Sequence, residues 1–279
     1  LAHATQTALF GGRFKDRFFN MGVAEQNMMG VAAGLSLSGF IPFASTFAMF
    51  GAGRAFEQIR NTICYPNLNV KIAVTHAGVT VGEDGASHQA IEDISLMRSV
   101  PNMTVIVPCD AIETKKAVIA AADVEGPVYI RIARPVAPII TEESCDFEIG
   151  KAEVLKQGKD LSIFATGLMV AKALEAASIL ADKGVDVTVV NVHTIKPLDE
   201  EIVLKEAVKT GKVITVEEHT IIGGLGSAMA EVLVGKERVK MKRIGLNDTF
   251  GQSGNPESLL EYYGLTKENI IKTAEEMVK

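Results

Sequence analysis

Tryptophan is absent, and only three cysteines occur in 279 residues, at Cys64, Cys109 and Cys145. Their odd number, wide separation and lack of any C-x-x-C spacing exclude a disulfide scaffold and argue against a zinc site. A reducing, cytoplasmic setting is the expectation that follows. There is no run of like charge either: 28 basic residues face 34 acidic ones, for a net charge of −6. Neither a nucleic-acid footprint nor a polybasic membrane anchor fits that balance. The chain begins at Leu1 with no secretory signal pattern, and its first residues read as the middle of a longer sequence.

What is present is ordinary for a soluble globular protein, with 47% hydrophobic and 22% charged residues, and the length suits two domains. One uncharged segment, 26–53, is long enough to cross a bilayer. Gly30, Gly34, Gly39 and Pro42 break it up, so a helix, a short strand and a second helix start are expected there, buried and facing a partner subunit. The pattern predicts helices over 21–37, 47–65, 91–98 and 111–122, and strands over 40–44, 70–75, 103–107 and 128–132. After a Pro-containing acidic stretch, strands are predicted over 161–165, 187–191, 212–216 and 239–244, and helices over 170–183, 200–209, 225–233 and 268–278. Strand–helix alternation with continuous apolar strands indicates an α/β chain of two domains, each a mainly parallel sheet flanked by helices. The expected boundaries are 1–135, a linker over 136–148, and 149–279.

Several residues stand out chemically. Glu25 is the only charge between Arg17 and Arg54, and among Val23, Ala24, Met28 and Met29 its carboxylate should be desolvated. It reads either as a functional acid or as a helix-start Glu favoured by the dipole. The loop THAGVTVGEDGASHQ follows a predicted strand and gathers His76, Glu83, Asp84 and His88 among glycines. Ligands of open parallel sheets bind at the carboxyl ends of strands, so this loop suits a hydroxylated or phosphorylated substrate; a solvated turn with a helix-capping His is the other reading. Phe47 and Phe50 share a helix face, as core residues or as a platform for a flat ring. Arg131 and Arg134 suit either a phosphate or salt bridges. No metal site is expected, because His76, Asp84 and His88 lack helical zinc or EF-hand spacing. GGLGSAMAE at 223–231 lacks both phosphate-loop signatures and reads as helix-start packing, while His193, Glu217, Glu218 and His219 read as structural.

These segments together resemble the thiamine-diphosphate-dependent transketolase family along essentially the whole chain. GVAEQNMMGVAAGL resembles the segment carrying the cofactor-activating glutamate, VTHAGVTVGEDGASHQAIED the substrate-channel loop, and NDTFGQSGNPESLLEYYGLT the C-terminal domain. The resemblance implies a pyrimidine-binding domain followed by the transketolase C-terminal domain. The family's diphosphate-binding GDG…Asn-Asn segment has no counterpart. A C-terminal subunit of a split transketolase is therefore implied, active only with an N-terminal partner that holds the diphosphate and Mg²⁺, in a dimer of heterodimers. The implied reaction transfers a two-carbon ketol unit between phosphorylated sugars, as in the pentose phosphate pathway. Glu25 and His88 are the implied catalytic residues, with Glu25, Phe47 and Phe50 on the cofactor and His76, Asp84, His88 and Arg134 on the substrate. A family aromatic position three residues beyond Phe50 is Gly53. Alternatives are a 1-deoxy-xylulose-5-phosphate synthase-like enzyme and a non-catalytic regulatory subunit of the same fold.

Overall fold

The computed structural model describes residues 1–235 and 239–279. Ten strands run through the described residues: β1 (Phe43–Ala44), β2 (Lys71–Val74), β3 (Thr104–Ile106), β4 (Val128–Arg131), β5 (Glu153–Lys156), β6 (Leu161–Ala165), β7 (Val187–Asn191), β8 (Thr194–Lys196), β9 (Lys212–Thr220) and β10 (Lys240–Leu246). They form two five-stranded sheets, ordered β1-β2-β4-β3-β8 and β10-β9-β6-β7-β5. Every pairing is parallel except β3 with β8 and β5 with β7, each at a sheet edge. The central strands β4, β6 and β7 are buried along their whole length, as parallel strands covered on both faces must be.

The α-helices are α1 (Ala8–Arg13), α2 (Glu25–Leu37), α3 (Asp93–Ser99), α4 (Ala111–Asp123), α5 (Met169–Asp182), α6 (Glu200–Thr210), α7 (Leu225–Leu233), α8 (Pro256–Tyr262) and α9 (Lys267–Val278). Side-chain caps fix several starts: Asp110, Asp199, Asn255 and Thr266 each accept a backbone N–H from the first turn. Among the described residues no helix is long and apolar enough to cross a membrane.

The structure departs from expectation in several places. The helix predicted over 21–37 begins at Glu25 (α2), which puts that carboxylate in the helix's first turn. The 47–65 helix is wound with i→i+5 turns over Met49–Arg54 and Gln58–Cys64. The 26–53 segment is also not uniformly buried: Leu37, Phe40, Ile41 and Phe43 are exposed, as are Leu9, Phe10, Phe14, Phe19 and Val23 earlier in the chain. Apolar composition predicts that a surface avoids water, but not whether its own chain covers it. Strands β5 and β8 and helices α1 and α8 had no predicted counterpart. The first two are short edge strands whose pairing is tertiary, whereas α8 carries a readable Asn255–Pro256 start.

The two sheets are joined by a buried polar node. The Arg131 Nε donates to both carboxylate oxygens of Asp93, at 3.1 and 2.9 Å, and its Nη2 to the carbonyls of Ala90 and Glu218. The Tyr129 hydroxyl donates to Asp93 at 2.8 Å, and the Thr80 amide to the Glu218 carboxylate at 2.7 Å. Of the two readings of Arg131, the salt bridge is therefore the one realised. Glu217, whose burial pushes its carboxyl up to about 7, accepts the amides of Leu225 and Gly226 at the start of α7. The GGLGSAMAE segment is thus helix-start packing, its N-terminal amides met by the chain's own carboxyl.

Candidate active site

The carboxyl ends of β1 and β2 put the first members of the site side by side. Phe47 follows β1 and bridges in parallel to Thr75, one residue beyond β2. His76 comes next, in the left-handed region at φ 58°, which turns its ring away from the strand direction. The Phe47 and His76 rings stack at 3.9 Å between centroids and 18° between planes. The Thr75 hydroxyl lies 2.9 Å from the His76 Nδ1. Burial, helped by the nearby Arg134 charge, pulls the His76 pKa below its ordinary value, so the ring is neutral at pH 7.

From Phe47 the aromatic surface continues. Phe50 lies 6.1 Å away in a nearly parallel plane, and His88 meets the Phe50 ring edge-on at 5.1 Å. The Arg54 guanidinium lies over Phe50, 4.6 Å from its centroid, and its Nη1 donates to the Glu25 Oε2 at 3.0 Å. Glu25 is 2% exposed, and its other oxygen, Oε1, is buried without any hydrogen-bond partner. An unmet acceptor of that kind is costly unless something donates to it.

Arg134 closes the other side. It donates to the Val81 carbonyl, and its guanidinium lies 3.6 Å from Glu83 and 4.0 Å from Asp84, all three side chains being well exposed. Such exposed pairs contribute under about 1 kcal/mol each. Glu25, Phe47, Phe50, His76, Asp84, His88 and Arg134 thus gather at the strand ends of the first sheet, linked through Arg54 and the loop between His76 and His88.

Two features of the site had no counterpart in the sequence reading. Arg54 is one; its only signal was that Glu25 and Arg54 are consecutive charges in the chain. The other is a strap from the second half of the chain. The buried Gln89 side-chain amide donates to the carbonyls of Val79 and Gly82 inside the loop, and to that of Gln252 at 2.9 Å. The Ser253 hydroxyl donates to the Glu83 carbonyl at 2.6 Å. Gly251 leaves no room for a side chain, because a Cβ there would overlap the Gln89 carboxamide oxygen. We expect Gly251→Ala to cost about 1–3 kcal/mol by overpacking. Urea midpoints check the cost, and faster amide exchange at 79–89 would place the loosening in the loop. A variant with wild-type midpoint and wild-type exchange would mean that the strap does not constrain the loop.

Comparison with known proteins matches two family models in succession along the chain. The transketolase pyrimidine-binding domain family matches residues 1–138, and the transketolase C-terminal domain family matches residues 150–270. A Methanocaldococcus jannaschii protein named as a transketolase C-terminal section is 53% identical, over 100% of this chain and 88% of its own length. A 6-deoxy-6-sulfo-D-fructose transketolase subunit of a Clostridium species is 43% identical, over 100% of this chain and 87% of its own. A solved split-gene transketolase, in an inactive β4 tetramer, superposes with a TM-score of 0.91 at 55% identity, covering 96% of this chain and 86% of that one. With both family domains in order along it and a relative more than half identical over its full length, the chain belongs to the transketolase family.

Proposed function

We propose that this chain is the C-terminal subunit of a split transketolase. In this reading it transfers a two-carbon ketol unit between phosphorylated sugars, and it is active only with an N-terminal subunit that holds the diphosphate of thiamine diphosphate and its Mg²⁺. Residues 1–135 form the pyrimidine-binding domain, 136–148 the linker and 149–279 the C-terminal domain, assembled as a dimer of heterodimers. The observation that carries the reading is the buried, unpartnered Oε1 of Glu25 beside an aromatic surface. An aminopyrimidine ring needs an acceptor for a ring N–H and a flat apolar wall, and those two features supply them.

Thiamine diphosphate, when bound, supplies the electron sink for cleaving a carbon–carbon bond next to a carbonyl. The protein's own residues do the rest. Glu25 holds or gives up a proton at the pyrimidine ring nitrogen, a role suited to a carboxyl shielded from water. Phe47 and Phe50 pack against that ring and exclude water from it. His88, on the edge of Phe50, contacts donor hydroxyls and moves a proton, and Asp84 reads a hydroxyl of the acceptor. Arg134 supplies the charge for a terminal phosphate. Its present partners are exposed carboxylates, so exchanging them costs little. His76, neutral at pH 7, adds a hydrogen bond rather than a second charge. The exposure of the large apolar side chains Leu9, Phe10, Phe19, Val23, Leu37 and Phe40 supports a chain completed by a partner.

The test is an assay in two arms, with xylulose 5-phosphate, ribose 5-phosphate, thiamine diphosphate and Mg²⁺. One arm holds this chain alone; the other adds an N-terminal subunit carrying the GDG…Asn-Asn segment. Activity in the mixture only is expected. Turnover by the lone chain, or silence of a complex shown to form, would overturn the proposal. Release of CO₂ from pyruvate by that complex would identify a synthase instead.

A further inference from the structure

We infer that Arg54 is a positioning residue for the activating carboxylate: it fixes Glu25 through Oε2 and so presents Oε1 as the single acceptor offered to the cofactor ring. The inference rests on the reading that Glu25 and Phe50 receive an aminopyrimidine. It goes beyond that reading, because nothing in it requires a cation at this place.

Three observations converge. First, the two carboxylate oxygens of Glu25 are unequal. Oε2 takes the Arg54 Nη1 at 3.0 Å, while Oε1 is buried and has no partner. A carboxylate without the cation could turn about its last torsion and present either oxygen, whereas one held by a charge-assisted bond presents one. Second, the same guanidinium lies 4.6 Å over the Phe50 ring. Arg54 therefore ties the acid and the aromatic wall into one unit, fixing their separation as well as their orientations. Third, among the described residues the Arg54 guanidinium has no other hydrogen bond to serve. Arg54 is 49% exposed at its side chain, and Glu25 is its only hydrogen-bond partner among the described residues. Its contacts serve these two groups rather than the core.

A planar cation is needed for both contacts at once. Lysine can pair with Oε2 but has no flat face to lay on Phe50, and methionine can pack on the ring but leaves Oε2 unmet. The substitutions therefore separate the two parts of the role.

The experiment uses the assembled two-subunit complex, with thiamine diphosphate and Mg²⁺ as the probe and calorimetric binding as the first readout. Sedimentation confirms assembly of each variant. Arg54→Ala is expected to assemble normally, to weaken thiamine diphosphate binding about tenfold and to lower kcat. Arg54→Lys should recover part of the affinity and Arg54→Met should not. The decisive comparison is a double-mutant cycle: in a Glu25→Ala background, adding Arg54→Ala should change cofactor affinity little, because the group it positions is already gone. Wild-type affinity and kcat in Arg54→Ala would overturn the inference, as would effects of Arg54 and Glu25 on affinity that simply add. A wild-type complex that fails to bind thiamine diphosphate would instead overturn the functional reading on which the inference rests.

Discussion

Replacing Glu25 by glutamine in the assembled complex is expected to lower the turnover number of ketol transfer by about a thousandfold, within the range for removing a positioned general acid or base. The side chains have nearly the same shape, and an amide oxygen still accepts from Arg54 at the position of Oε2. Folding and assembly should therefore survive. What glutamine lacks is a group that takes up and returns a proton at the buried position of Oε1. Turnover, with sedimentation of the same sample as a control, decides the matter. A variant complex within twofold of wild-type turnover would remove Glu25 from the chemistry and return it to a helix-start role.

The second large effect is on stability and lies away from the chemistry. Asp93→Ala is expected to cost about 3–5 kcal/mol, because it leaves the buried Arg131 guanidinium without its main counter-charge and the Tyr129 hydroxyl without its acceptor. Glu218 stays close to Arg131, so the lower part of that range is the better expectation. Burial pushes the Glu218 carboxyl up while Arg131 pulls it down, and it already accepts from Thr80. The node joins the sheets, so both halves should lose stability together, read as one earlier unfolding transition in urea. The double variant Asp93→Leu, Arg131→Met, which buries no unpaired charge, should recover a good part of the loss. Two separate transitions, or a loss within about 0.5 kcal/mol of zero, would mean that the node does not hold the halves together.

Much of the candidate site is legible in the sequence alone. The GEDGASHQ loop was readable because so many polar and titratable groups cluster after a continuous apolar run, and strand ends are where open parallel sheets bind ligands. Glu25 was readable because an isolated charge in an apolar stretch needs a reason. Phe47 and Phe50 were readable only as a shared face; their stack with His76 depends on β1 lying beside β2, a pairing between strands far apart in sequence. The choice between salt bridge and phosphate ligand at Arg131 and Arg134 was not legible. The two residues are three apart and chemically alike, yet one is buried in the joint between sheets and the other lies half-exposed against Val81, Glu83 and Asp84.

The sequence by itself determined the class of fold, two mainly parallel α/β domains, and most element positions, because the periods of apolar residues are local and repeat with the backbone geometry. It also determined the family, through local motifs. The tertiary structure alone decided that Arg54 reaches back to Glu25, that β8 from the second half of the chain completes the first sheet, and that Gln252 and Ser253 strap down the loop between His76 and His88. Each of these is a contact between segments distant along the chain. Its energy depends on distance and desolvation in three dimensions, and no period or spacing in the sequence encodes either.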